Sequence, residues 1–202
     1  MTKLSPITRL VVFFDLCSST TILEDLLQTE NQWRWRQTLM ELKDFLRVER
    51  TALGFEIYKF IGDGWILLFQ PDISPLNLTA FLRKLCKRYD SLYAQKIKPV
   101  LQTDIQTMGV TFGIDRGTVV KVVMDGKDEY IGRPLNVAAR LQGAIKDKDK
   151  HPQGKVLLSK TAYVRMQAEL KGQFPVDDVT RTLRNISGGA NYHAKKLHLF
   201  KP

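Results

Sequence analysis

The chain has 202 residues, 44% of them apolar and 26% charged, which suits one globular domain with a sizeable core and hardly leaves room for a second. No apolar run approaches the roughly 20 residues that span a bilayer. Residues 1–6 do not lead into a signal peptide, because the apolar run from Leu10 is broken by Asp15. The two cysteines, Cys17 and Cys86, build no disulfide framework and read as small apolar residues of a reduced, cytoplasmic protein. The net charge of +10 gathers at Arg83, Lys84, Lys87 and Arg88 and between Lys146 and Lys155. Such a surface attracts polyanions, or else is a solvated basic face.

In chain order, residues 10–14 read as a buried strand, and Ser18, Ser19 and Thr20 after it offer N-cap chemistry. A helix is expected over 31–53, where Trp35, Leu39, Leu42, Leu46 and Leu53 recur at helical spacing. Trp35 falls on the core side, and Trp33 at the core edge or at a dimer contact. Strands over 55–61 and 65–69 flank a Gly62-Asp63-Gly64 hairpin turn. A helix over 76–94 directs Leu78, Phe81, Leu82, Leu85, Tyr89 and Leu92 inward. Strands over 109–114 and 119–124 are expected to turn around Asp115-Arg116-Gly117, followed by a helix over 134–145, a short strand over 156–158, a helix over 160–169 and a closing strand over 193–200. This order lacks a regular βαβ rhythm. It favours an α+β sandwich, a mostly antiparallel sheet with helices packed on one face.

Two stretches carry the chemistry. The run Val11 to Phe14 ends on Asp15, and Asp63 sits in the turn between two further strands. If those strands are neighbours, the two carboxylates meet at one sheet edge beside a helix N-terminus. That arrangement suits divalent metal ions and a triphosphate. Strand parity places Ile57, Lys59, Ile61 and Asp63 on one face and Tyr58 on the other unless a bulge intervenes. A lysine on an apolar face needs a polar partner or an edge position from which to reach water. Asn136 and Arg140, spaced i,i+4, share one helix face, either as a surface pair or as groups aimed at a phosphate.

Together these stretches resemble the catalytic domain of class III nucleotidyl cyclases, over roughly residues 10–158. Asp15-Leu16-Cys17-Ser18-Ser19-Thr20 matches the first metal motif, with Ser18 where the family usually has glycine. Lys59-Phe60-Ile61-Gly62-Asp63 matches the second motif intact, and Gly132, Asn136 and Arg140 match the third. The resemblance implies a ferredoxin-like cyclase fold and a head-to-tail homodimer with composite sites. In it, Asp15, Asp63 and the Leu16 backbone would hold two Mn²⁺ or Mg²⁺ ions. Leu16, Cys17, Ser18, Ser19 and Thr20 would cradle the phosphates. Asn136 and Arg140 of the other subunit would orient the ribose and stabilise the α-phosphoryl group. The ribose 3′-hydroxyl of a nucleoside triphosphate would attack the α-phosphorus, releasing pyrophosphate.

In adenylate cyclases the lysine matching Lys59 pairs with an acidic or polar residue placed where Glu129 stands here. Yet Tyr58 beside Lys59, the basic residue Arg116 and the compact build make the chain look like the pyrimidine cyclases of bacterial antiphage defence. That likeness implies cyclic UMP or cyclic CMP as product, with adenylate cyclase as the alternative. A diguanylate cyclase is disfavoured because Gly62-Asp63-Gly64-Trp65 lacks that family's turn. A basic nucleic-acid-binding module lacks strand aromatics beyond Phe60 and Phe112. A degenerate scaffold is disfavoured because Asp15, Asp63, Asn136 and Arg140 are all present. The resemblance also implies a basic residue on the C-terminal segment that would meet the triphosphate, for which Arg184, Lys195 and Lys196 are the candidates.

Overall fold

The computed structural model describes residues 6–146, 149 and 151–200. In chain order they form β1 (Pro6–Leu16), α1 (Ser19–Gln28), α2 (Gln32–Leu53), β2 (Glu56–Ile61), β3 (Gly64–Phe69), α3 (Pro75–Leu92), β4 (Val110–Met124), β5 (Lys127–Ile131), α4 (Arg133–Lys146), β6 (Lys155–Ser159), α5 (Lys160–Leu170), β7 (Val176–Arg181) and β8 (Tyr192–His198). The strands make one sheet in the order β2-β3-β1-β4-β6-β8-β7, with β5 paired to β4. Among the described residues, only β4 and β6 run parallel.

Alternation along β1 assigns the two faces. Leu10, Val12, Phe14 and Leu16 point into the main core, which α1, α2, α3 and α5 cover. Val11 and Phe13 point the other way, against Leu135 and Ala138 of α4. The α+β sandwich stands as expected, except that the helices are not confined to one face. Gly113 explains how α4 fits on the second one. A Cβ there would lie 2.0 Å from the Ala138 carbonyl and 2.4 Å from the Gln142 amide, so only glycine lets the helix backbone rest on β4.

The expected turn at Asp115-Arg116-Gly117 does not exist, because β4 runs through it unbroken. Asp115 is buried and accepts a hydrogen bond from the Thr161 hydroxyl at 3.0 Å. Burial pushes its carboxyl pKa up. The actual hairpin is Asp125-Gly126, with φ of 50° and 71°, the left-handed pair that a two-residue connection requires. Arg116 is therefore a strand residue. It pairs in register with Leu10, in the middle of β1 and well along the strand from Asp15, and donates to the Pro71 carbonyl at 3.4 Å. It takes no part in the candidate site. Strand β7 had no forecast in the sequence.

The helical forecasts fare better. All six inward residues of α3 are buried, as is Trp35, while Trp33 is 53% exposed and lies against the Arg34 guanidinium. Both cysteines are buried, and burial pushes the Cys86 thiol up. The basic face of α3 is partly neutralised by α2, through Lys84–Glu49 at 3.1 Å and Arg88–Glu41 at 2.8 Å. Of the second basic cluster, residues 147, 148 and 150 lie outside the described residues, as do residues 1–5. No helix among the described residues is long and apolar enough to cross a membrane.

Candidate active site

Antiparallel pairing of β1 with β3 puts Asp15 opposite Gly64, so Asp63 in the adjoining turn lies beside it. A Cβ at Gly64 would strike the Phe14 carbonyl at 2.2 Å and sit 3.2 Å from Asp15 Oδ1. Glycine is thus what allows the hairpin to close onto the carboxylate. The Ser19 hydroxyl donates to Asp63 Oδ2 and ties the hairpin to α1. From the other side, buried Gln142 of α4 donates from Nε2 to Asp15 Oδ2 at 3.3 Å and to Thr111 Oγ1 at 2.8 Å. Asp15, Asp63 and Ser19 are half-buried.

The loop from Leu16 to Ser18 differs in detail from the N-cap expectation. Ser18 occupies the N-cap position of α1 with φ 56° and ψ 20°, and its side chain makes no capping bond. Its hydroxyl instead donates to the Thr107 carbonyl at 2.5 Å, while its carbonyl accepts the first helical bond, from the Ile22 amide at 2.9 Å. The positive φ accounts for the glycine usual at this place in the motif. The first-turn amides of Ser19, Thr20 and Thr21 have no intrahelical acceptor and point out of the helix end, where an anion is favoured.

A second cluster forms on the same hairpin. The pairing of β2 with β3 slips between Ile57 and Lys59, a bulge at Tyr58 that overturns the expected parity. Ile57 packs against the main core, whereas Tyr58 packs with the opposite-face cluster. Tyr58 and Lys59 both reach Glu129. The Tyr58 hydroxyl donates to Glu129 Oε2, and Lys59 Nζ lies 3.2 and 3.1 Å from the two carboxylate oxygens. The Tyr58 hydroxyl accepts from the Tyr130 amide at 3.1 Å, and the two rings meet edge to face at 5.1 Å. The hydrogen bonds from Tyr58 and then Lys59 hold the Glu129 carboxyl below its ordinary range, and Glu129 holds Lys59 above its own. Burial and Glu129 push the Tyr58 phenol up.

Asn136 and Arg140 are exposed on α4, and their side chains neither hydrogen-bond nor pair with another described residue. They do not join Asp15 and Asp63 within the chain. The three C-terminal candidates separate. Lys195 pairs with Asp178 at 2.5 Å and lies over the Tyr163 ring of α5. Lys196 pairs with Asp149 at 2.9 Å, on the α4 side of the sheet, and Arg184 is exposed on the loop before β8. Sequence reasoning missed Gln142, Thr111 and Tyr130. Only the placement of α4 and of β5 brings them in.

The donors fit hard divalent ions, since two carboxylates and the Leu16 backbone carbonyl are all oxygen ligands. Among the described residues no group of three or more His, Cys, Asp or Glu gathers to hold an ion alone. Mg²⁺ is commonly held by one or two carboxylates, with substrate phosphates and water completing the shell.

No family model matches the chain, and no curated protein does. Solved structures do. The adenylyl cyclase CyaB from P. aeruginosa superposes with a TM-score of 0.72 at 17% identity, over 96% of this chain and 95% of that one. The guanylyl cyclase Cya2 gives a TM-score of 0.71 at 18% identity, over 98% and 95%. A bacterial light-regulated adenylyl cyclase gives 0.71 at 14% identity, over 98% of this chain and 54% of that one. The chain thus has the fold of adenylyl and guanylyl cyclase catalytic domains.

Proposed function

We propose that this chain is a nucleotide cyclase, a single catalytic domain that converts a nucleoside triphosphate into a 3′,5′-cyclic nucleotide and pyrophosphate. The observation that carries the reading is the meeting of Asp15 and Asp63 at the open N-terminus of α1. Two Mg²⁺ or Mn²⁺ ions held by Asp15, Asp63 and the Leu16 carbonyl would neutralise phosphate charge and lower the pKa of the ribose 3′-hydroxyl. The amides of Ser19, Thr20 and Thr21 receive the β- and γ-phosphates at the helix end. The 3′-oxygen bonds to the α-phosphorus as the bond to the β-phosphate oxygen breaks, and the hydroxyl proton passes to solvent. Asn136 and Arg140 face outward and serve the site of a second subunit. There Asn136 orients the ribose and Arg140 stabilises charge on the α-phosphoryl group.

For the base, the reading is a pyrimidine. The bulge sets Tyr58 and Lys59 together on Glu129, and the Tyr58 ring packs edge to face on Tyr130. Lys59 can donate to uracil O2 or O4, or to cytosine O2 or N3. Glu129 can accept from uracil N3–H or the cytosine amine. The product would then serve as a cytoplasmic second messenger of antiphage defence, the role that the resemblance to pyrimidine cyclases implies. The Lys59–Glu129 pair by itself also favours a second reading, adenine.

Incubation with each of the four ribonucleoside triphosphates and Mn²⁺, with mass detection of products, tests both levels. Cyclic UMP is expected, ahead of cyclic CMP. Equal or faster turnover of ATP overturns the pyrimidine reading, and no cyclic product from any nucleotide overturns the cyclase.

A further inference from the structure

A cavity of about 680 Å³ has no part in the chemistry above. It lies between α1, α2 and the β2–β3 hairpin, walled by Leu23 and Leu27, by Trp35 and Leu39, and by Phe60 and Trp65. Its size is that of a small-molecule pocket, and its walls are almost wholly apolar. Leu27 is 54% and Phe60 50% exposed, an arrangement that leaves apolar surface in water. Trp65 and Ile57 belong to the sheet face opposite α4.

Charge decides what it would take. The only ionisable side chains lining it are Arg36 and Lys43, both cations on α2. They stand two helical turns apart on one face, and neither pairs with an acid among the described residues. Glu41 and Asp44, the nearest acids on the helix, are engaged elsewhere, with Arg88 and Lys96 and with Arg47. We propose that this cavity is a binding site for a small organic anion with an apolar body, of the medium-chain monocarboxylate class. Its chain would lie on Trp35, Phe60 and Trp65, and its carboxylate at the mouth between Arg36 and Lys43. The site is independent of cyclase activity, because nothing in the argument uses Asp15, Asp63 or a nucleotide.

Decanoate is the probe, with 1-decanol as the uncharged control. Binding is followed by calorimetry and by tryptophan fluorescence, since Trp35 and Trp65 line the cavity. Decanoate should saturate one site and change the fluorescence, and it should bind more tightly than decanol. The double substitution Arg36→Gln with Lys43→Gln should weaken decanoate about tenfold, as loss of charge-assisted bonds does, and leave decanol unchanged. Met40→Trp, at a lining position that is 42% exposed, should fill the cavity and abolish binding of both while the melting curve keeps its midpoint. Equal affinity for decanoate and decanol overturns the proposal. So does a charge-free double variant that binds decanoate as well as the unmodified chain, or no saturable binding at all.

Discussion

At φ 56°, Ser18 holds a left-handed conformation that costs a side-chain-bearing residue roughly 1–2 kcal/mol, and its hydroxyl bond to Thr107 offsets about 1 kcal/mol of that. Two substitutions separate these contributions. Ser18→Ala and Ser18→Gly both lose the hydroxyl, but only glycine relieves the backbone. In urea unfolding, the glycine variant should be the more stable of the two by about 1 kcal/mol. Equal stabilities would mean that the angle carries no strain. Asp63 makes the complementary case. It is half-buried in a turn and, among the described residues, its carboxylate accepts from the Ser19 hydroxyl, so it contributes little to packing. Asp63→Ala should lower turnover on the order of a thousandfold or more while shifting the melting midpoint by less than about 4 °C. Retained turnover in the pure variant would remove Asp63 from the chemistry.

At the scale of elements, the seating of α4 on β4 is the most exacting contact. Gly113→Ala must displace the Ala138 carbonyl or the Gln142 amide, and with Gln142 the bond to Asp15. The expected outcome is a loss of about 3 kcal/mol in denaturant unfolding, from overpacking against backbone. A neutral substitution would show that the helix can lift without penalty. Elements are also where the sequence spoke most and least clearly. Helical spacing announced α2 and α3 because burial repeats along them, and the Gly62-Asp63-Gly64 turn stated its own geometry. Asp115-Arg116-Gly117 misled, because turn residues there are spent on tertiary contacts, a carboxylate under Thr161 and a glycine under Pro134. Asp125-Gly126 carried the true turn signal. The bulge at Tyr58 left no mark in the pattern of residues, since a bulge is fixed by what the neighbouring strand accepts. Without it, Tyr58 and Lys59 could not share Glu129. Asp15 and Asp63 were legible because each closes a short local motif. Gln142 was not, because its role depends on where a distant helix lands.

For the whole molecule, the proposed cyclase reading gives the outward face of α4 a part in assembly. On that reading one chain supplies Asp15 and Asp63 to one site and Asn136 and Arg140 to another, and a complete site takes two chains related head to tail. Asp63→Ala and Arg140→Ala proteins should each be inactive alone. Mixed in equal amounts and allowed to exchange, they should recover about a quarter of the unmodified turnover, because half the dimers are mixed and each carries one intact site. If exchange is demonstrated by mass and no activity returns, each site is built within one chain.

The placement of the strands has one further consequence. Asp15 lies one residue from the end of β1, which pairs with β3 over Leu10 to Asp15 on one side and with β4 along its whole length on the other. Asp63 hangs from a hairpin whose outer strand, β2, is the margin of the sheet. Local opening is cheapest at such margins and dearest at the centre. The two carboxylates therefore answer to different fluctuations. One is anchored to the stiffest part of the molecule, and the other rides on a marginal hairpin that Ser19 and Glu129 tie back to the rest. The gap between them resembles a vice with one fixed jaw, whose other jaw is held shut by side-chain ties and not by the sheet.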